Sequence, residues 1–91
     1  MRLNQLARVT PGKANLKKPI EAVYRQFGSK IEALRSALGL SQADLAERVG
    51  LERTSVCNIE AGRQRVLLDD VEKFAAAFAT SPKHLLRGIW W

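Results

Sequence analysis

The chain has 91 residues, 46% of them hydrophobic and 26% charged, with a net charge of +6. That composition suffices for one small domain with a modest core and excludes a disordered chain. One cysteine and one histidine exclude an intramolecular disulfide and a cysteine-rich zinc site, so neither a metal nor a cofactor is expected. No apolar stretch approaches the length that crosses a bilayer, and the amino terminus lacks the apolar segment of a secretory signal; a cytoplasmic protein is the expectation.

The charge is unevenly placed. Residues 1–20 carry Arg2, Arg8, Lys13, Lys17 and Lys18 and no acid, which leaves ten cations against nine acids, or +1, for the remainder. Pro11, Gly12 and Pro19 make residues 1–19 an extended or irregular basic arm rather than a packed element. Three readings stay open for it: a solvated tail, an arm that follows phosphates or enters a minor groove, and a short strand through Leu3, Leu6 and Val9 paired with a partner chain.

Helices are expected from there on. Pro19 is placed to open the first, which runs through Val23, Phe27, Ile31, Leu34 and Leu38 before Gly39 stops it. Ser41 then precedes an apolar-periodic run with Asp44 three residues on, a variant of the capping box that makes Gln42 the first residue of a second helix. Leu45, Ala46 and Val49 form its buried stripe, and Gly50 takes the left-handed conformation that ends it. A third helix spans about Arg53 to Ala61, with Val56 and Ile59 turned to the core and Arg53, Thr54, Cys57, Asn58 and Ala61 turned away. Such a helix, apolar on one side and small, polar or cationic on the other, fits the B-DNA major groove, about 12 Å wide. A helical hairpin with a merely solvated outer face is the plainer reading of the same pattern.

A fourth helix, about Leu68 to Ala79, buries Val71, Phe74, Ala75 and Phe78. Ser81 and Pro82 open a fifth whose inner face carries Leu85 and Leu86. The chain then closes on Ile89, Trp90 and Trp91, three large apolar residues where polar, frayed sequence is usual. Either they pack back onto Phe78 and Leu85, or, with Leu86, they form a two-fold contact between copies.

The segment from about Phe27 to Leu86 closely resembles the Cro/repressor-type, or xenobiotic-response-element, helix-turn-helix family. The matching residues are Phe27-Gly28, the Ile31, Leu34, Arg35 run, Gly39-Leu40-Ser41-Gln42, Leu45-Ala46, Gly50-Leu51, Ile59-Glu60 and Gly62-Arg63. The resemblance implies an all-α, five-helix lambda-repressor-like domain over residues 20–88, between the basic arm and an apolar tail at 89–91. It also implies double-stranded DNA as partner. By analogy Gln42 meets a phosphate with Ser41 beside it, Thr54 and Asn58 read base edges, and Arg35 and Glu60 form an interhelical ion pair. Chemistry adds that Arg53 suits guanine, Asn58 suits adenine and the Thr54 methyl suits a thymine methyl. Ser55, Arg63 and Arg65 look like phosphate clamps at the ends of the recognition helix. Two departures stand out: Val66 and Leu67 occupy places where the family often has Pro-Ser, so the fourth helix lacks a side-chain cap, with Asp69 and Asp70 left to complement its dipole. Ala61 also replaces a commonly polar residue.

Catalysis finds no support. His84 has no nucleophile or acid placed with it, and adjacent Asp69 and Asp70 diverge by about 100° on a helix. Cys57 is either a small residue tolerated at the DNA face or an oxidation-sensitive one. The expectation is a dimeric transcriptional repressor on a palindromic operator, with no small-molecule effector. The alternative is an antitoxin that occludes a toxin protein and autoregulates its operon.

Overall fold

The computed structural model describes the backbone of residues 20–89 and the side chains from Ala22 onward. Five helices follow one another: α1 Ile20–Ala37, α2 Gln42–Val49, α3 Arg53–Glu60, α4 Leu68–Ala77 and α5 Pro82–Leu86. No strand occurs among the described residues, and no described helix is long and apolar enough to cross a membrane. The basic arm, Pro19 as helix opener, and Trp90 and Trp91 lie outside the described residues.

The local rules operate as the residues dictate. Ser41 Oγ accepts from the Asp44 amide at 2.9 Å, and the Asp44 carboxylate accepts from the Ser41 amide at 3.1 Å, completing the capping box. That backbone hydrogen bond from Ser41 is the main reason the Asp44 carboxyl is held below the ordinary aspartate range. At the other end of α2, Gly50 adopts φ 72°, and the amides of Gly50 and Leu51 turn back to the Ala46 carbonyl. The left-handed residue reverses the chain within three residues, which brings α3 against α2. Ser81 caps α5 by accepting from the His84 amide at 3.1 Å, with Pro82 in the first turn. Neither α3 nor α4 has a side-chain cap; Leu67 stands at the α4 cap position, and Asp69 and Asp70 fill its first turn.

α3 packs chiefly against α1 and α2, and α4 bridges α2 and α5. Phe74 of α4 lies at the centre, fully buried with Ile31, Leu45, Val56, Ile59 and Leu85. Its ring meets Phe27 edge-on, with centroids 6.1 Å apart. Each such side chain contributes about 1.5–3 kcal/mol on burial, so the core draws on every helix. α1 comes closest to α3 at Gly28, where a Cβ would lie 2.1 Å from the Ile59 carbonyl oxygen. Only a glycine allows that backbone approach.

Three expectations change on folding. Leu38 does not extend the buried stripe of α1: the helix closes at Ala37, the Leu38 amide joins the final turn, and its side chain is left 54% exposed past the helix end. α4 ends at Ala77 and its Phe78 is partly rather than fully buried. Ile89 is 3% exposed and belongs to the core cluster of its own chain, so the packed domain extends one residue past 88. Intramolecular cover is thus what Ile89 receives, and its surface is spent before any second copy could meet it. α5 is secured from outside as well. The Lys30 ammonium on α1 donates to the His84 and Arg87 carbonyls at 3.2 and 2.7 Å, placing a cation on the negative end of that short helix.

Candidate nucleic-acid interface

The outward face of α3 is built by exclusion. Val56 and Ile59 are fully buried, and this fixes the rotation of the helix so that Arg53, Thr54 and the following Ala61 are exposed while Ser55, Cys57 and Asn58 are half-buried at the margin. Thr54 and Asn58 lie one turn apart on the same side. Arg63 and Arg65 are exposed beyond the carboxyl end of α3, and Ser41 and Gln42 stand at the amino end of α2; Arg63 and Gln42 reach this face through Asn58 and Arg53. The amino end of α2 directs its free amides and positive dipole outward, where a phosphate would be favoured. The Ser41 hydroxyl accepts within the capping box and retains its proton to donate.

Beneath the face lies a polar network that ties three helices together. Glu60 is one of two buried charged residues in the described chain, the other being Asp70. Arg35 of α1 donates to the Glu60 carboxylate through Nε at 2.6 Å and Nη2 at 3.1 Å, and its Nη1 donates to the Leu40 carbonyl at 2.8 Å. Side-chain exposures of 15% for Arg35 and 4% for Glu60 make this a part-buried, two-point pair around a buried carboxylate rather than a surface contact. The Glu60 hydrogen bond raises the Arg35 pKa further above its ordinary value, outweighing the opposite effect of burial.

Some contacts were not legible from residue spacing. The Gln42 side-chain amide donates to Glu60 Oε1 at 2.9 Å, and its carbonyl oxygen accepts from Arg53 Nη1 at 3.5 Å. Arg63 Nη2 donates to Asn58 Oδ1 at 3.4 Å. Two pairs of expected phosphate and base contacts are thus partnered with one another, across 11 and 5 residues, and Gln42 is also tied to the ion-paired Glu60 across 18. The five-residue contact has a sequence signal, since such a pair spans the end of one helix; the longer two have none. Leu86 is half-buried against the core, while Leu67 and Leu68 are 66% and 83% exposed at the start of α4. Cys57 is a free thiol and His84 is exposed. The described residues contain no group of three or more His, Cys, Asp or Glu able to hold a metal ion.

Comparison with known proteins agrees with this geometry. Residues 26–87 match a family described as helix-turn-helix domain. The chain is 41% identical over 61 residues to control protein C.BamHI of Bacillus amyloliquefaciens, a stretch covering 66% of this chain and 75% of that protein. Among solved structures it is similar to the restriction-modification controller protein C.AhdI from Aeromonas hydrophila, with TM-score 0.66 and 39% identity over 68% of this chain and 94% of the other. It is also similar to the hypothetical transcription factor NHTF from Neisseria, with TM-score 0.65 and 33% identity over 77% of each chain. These relatives are named as controllers and transcription factors, not as enzymes.

Proposed function

The chain belongs to the helix-turn-helix domain family, and from that premise we propose that it regulates transcription as a homodimer on a palindromic DNA operator, in the manner of a restriction-modification controller. The observation that carries the reading is the two-sided character of α3: Val56 and Ile59 anchor one side, and Arg53, Thr54 and Asn58 occupy the other. Arg53 reads guanine, Asn58 adenine and Thr54 a thymine methyl, while Ser41, Gln42, Ser55, Arg63 and Arg65 hold phosphates on either side of the groove. The cations of the arm add sequence-independent attraction.

The second copy is engaged through the α5 end of the domain, where Leu86 remains half-exposed and Trp90 and Trp91 follow. Indole rings suit an interface because they combine large contact area with a polar handle. On a promoter such a dimer represses by occlusion. The names of the relatives favour a controller over an antitoxin with a toxin partner. Selection of bound sequences from random DNA, with sedimentation of the free protein, tests the proposal. The expected outcome is a dimer and a two-fold symmetric consensus with half-sites about 34–36 Å apart, one helical turn or a multiple of it. Enrichment of no consensus would refute sequence-specific regulation, and an asymmetric single site bound by a monomer would refute the dimer.

A further inference from the structure

The carboxyl end of α3 is met by a stretch of α1 that takes no part in the ion pair. A Cβ added to Gly62 would lie 2.8 Å from the Arg25 Cα and 3.1 Å from the Arg25 Cβ and N. No side chain fits into that space, so the main chain of α1 rests directly on the bare glycine that follows α3. Val23, two residues earlier, packs against the core cluster and holds this stretch of α1 in place. Arg25 itself is exposed. Across the contact, Gly62 is followed by Arg63 and Arg65, both exposed, and neither residues 22–31 nor residues 61–68 contain an acid. Three arginines from two separate parts of the chain therefore border the point where α3 ends. Arg25 stands one residue ahead of the segment that matches the helix-turn-helix family.

We propose that Arg25 is a further phosphate-contacting residue, which together with Arg63 grips the DNA backbone at the carboxyl end of α3. The inference rests on the DNA-binding reading above. When the amino-terminal residues of a recognition helix reach base edges, its carboxyl end is carried toward the phosphates that border the groove. Ser41 and Gln42 serve the other end, where Gln42 accepts from Arg53. At the carboxyl end Arg63 reaches back along α3 to Asn58 Oδ1 at 3.4 Å, so a guanidinium from this corner meets the outward face. Arg25 starts from the same corner, on a helix rather than a loop, with its backbone set by the Gly62 contact. A phosphate suits it, because the guanidinium presents a fork of donors and keeps its charge. Glu21 precedes Arg25 by four residues, the spacing of an ordinary surface pair on a helix. An exposed pair of that kind is weak and yields to a phosphate.

The test uses the full chain with Arg25→Gln, which removes the charge and keeps a helix-favouring stem, Arg25→Lys, which keeps a charge, and Lys83→Ala, which removes an exposed cation from α5. Affinity for random duplex DNA is measured over a fourfold range of salt, at temperatures well below the melting midpoint of every variant. In Arg25→Gln the slope of log affinity against log salt is expected to fall by about 0.9 unit per protomer, so that across this range the variant loses about threefold less affinity than the wild type. Arg25→Lys is expected to keep the slope, and Lys83→Ala to leave it unchanged. On the selected operator, single methylphosphonates show which phosphates each protein senses. Arg25→Gln is expected to become insensitive at one of them, distinct from the one lost with Gln42→Ala. An unchanged slope in Arg25→Gln would overturn the proposal, and so would equal falls in Arg25→Gln and Lys83→Ala, which would reduce the arginine to one unit of net charge. If the wild type binds random duplex but selects no consensus, the regulator reading fails and the salt slope still decides Arg25. If it binds no duplex at all, both fall.

Discussion

Replacing Gly28 by alanine tests how α1 and α3 are joined. In an open helix the change is favourable by about 1 kcal/mol, because alanine has the higher helix propensity. Here the added Cβ would lie 2.1 Å from the Ile59 carbonyl oxygen, 2.7 Å from that of Glu60 and 2.9 Å from the Glu60 carbonyl carbon. Ordinary contact begins near 3.4 Å, so the two helices must separate by more than an ångström, and backbone atoms cannot rotate aside as a flexible side chain can. Overpacking of this kind costs typically about 1–3 kcal/mol and occasionally more. The upper end applies, because the same displacement pulls Glu60 from Arg35, now 2.6 Å away. Subtracting the propensity gain leaves a net loss of about 2 kcal/mol, or about 8–16 °C in Tm for a domain this small. Thermal and urea melts followed by circular dichroism measure it, with Ser29→Ala on the exposed side of the same helix as a control expected to gain about 0.5 kcal/mol. A Gly28→Ala protein as stable as the wild type would refute the close-approach argument.

Arg35→Met should destabilise by about 3–5 kcal/mol in denaturant melts, since it strands a buried carboxylate; a loss below about 1 kcal/mol would reduce the pair to a surface contact. Asn58→Ala should cost about 1–3 kcal/mol at one operator base pair and relax preference there, whereas Gln42→Ala should weaken random and specific DNA alike. Competition binding separates the two; equal losses on both DNAs for Asn58→Ala would remove it from base readout. Deleting residues 1–18 removes five cations, and the slope of log affinity against log salt should fall by up to about 4 units per protomer. An unchanged slope would make the arm a solvated tail.

What the sequence discloses is what depends on neighbours along the chain. The capping box at Ser41 and Asp44, the reversal at Gly50 and the missing cap at Leu67 each follow from a few adjacent residues, and each occurs as read. Facing is legible too: Val56 and Ile59 turn inward because their spacing matches the helical repeat. How far a neighbouring element extends is not legible. Leu38 keeps the repeat of Leu34 yet is left exposed, and Ile89 looks like interface until it is seen to join the core of its own chain. The ion pair between Arg35 and Glu60 was foreseen through resemblance, but its extension to Gln42 was not. That contact joins the first residue of α2 to the last of α3, a meeting decided by the crossing of two helices. Lys30 is equally silent, since one lysine on a helix carries no sign that it will find two carbonyls on α5.

The Lys30 clasp has a mechanical consequence. On α1, the point that lies against α3 through bare backbone and the point that holds the carboxyl end of α5 are only two residues apart, at Gly28 and Lys30. Half a helical turn therefore connects the element proposed to face DNA to the element proposed to meet a second copy, with no loop between them to yield. A dimer built on α5 would behave as a stiff calliper: the gap between its two jaws would be set by the Gly28 approach and the Lys30 clasp, while the side chains on the DNA-facing surface of α3 remain free to vary. Such an instrument can acquire a new target sequence without changing its stride along the double helix.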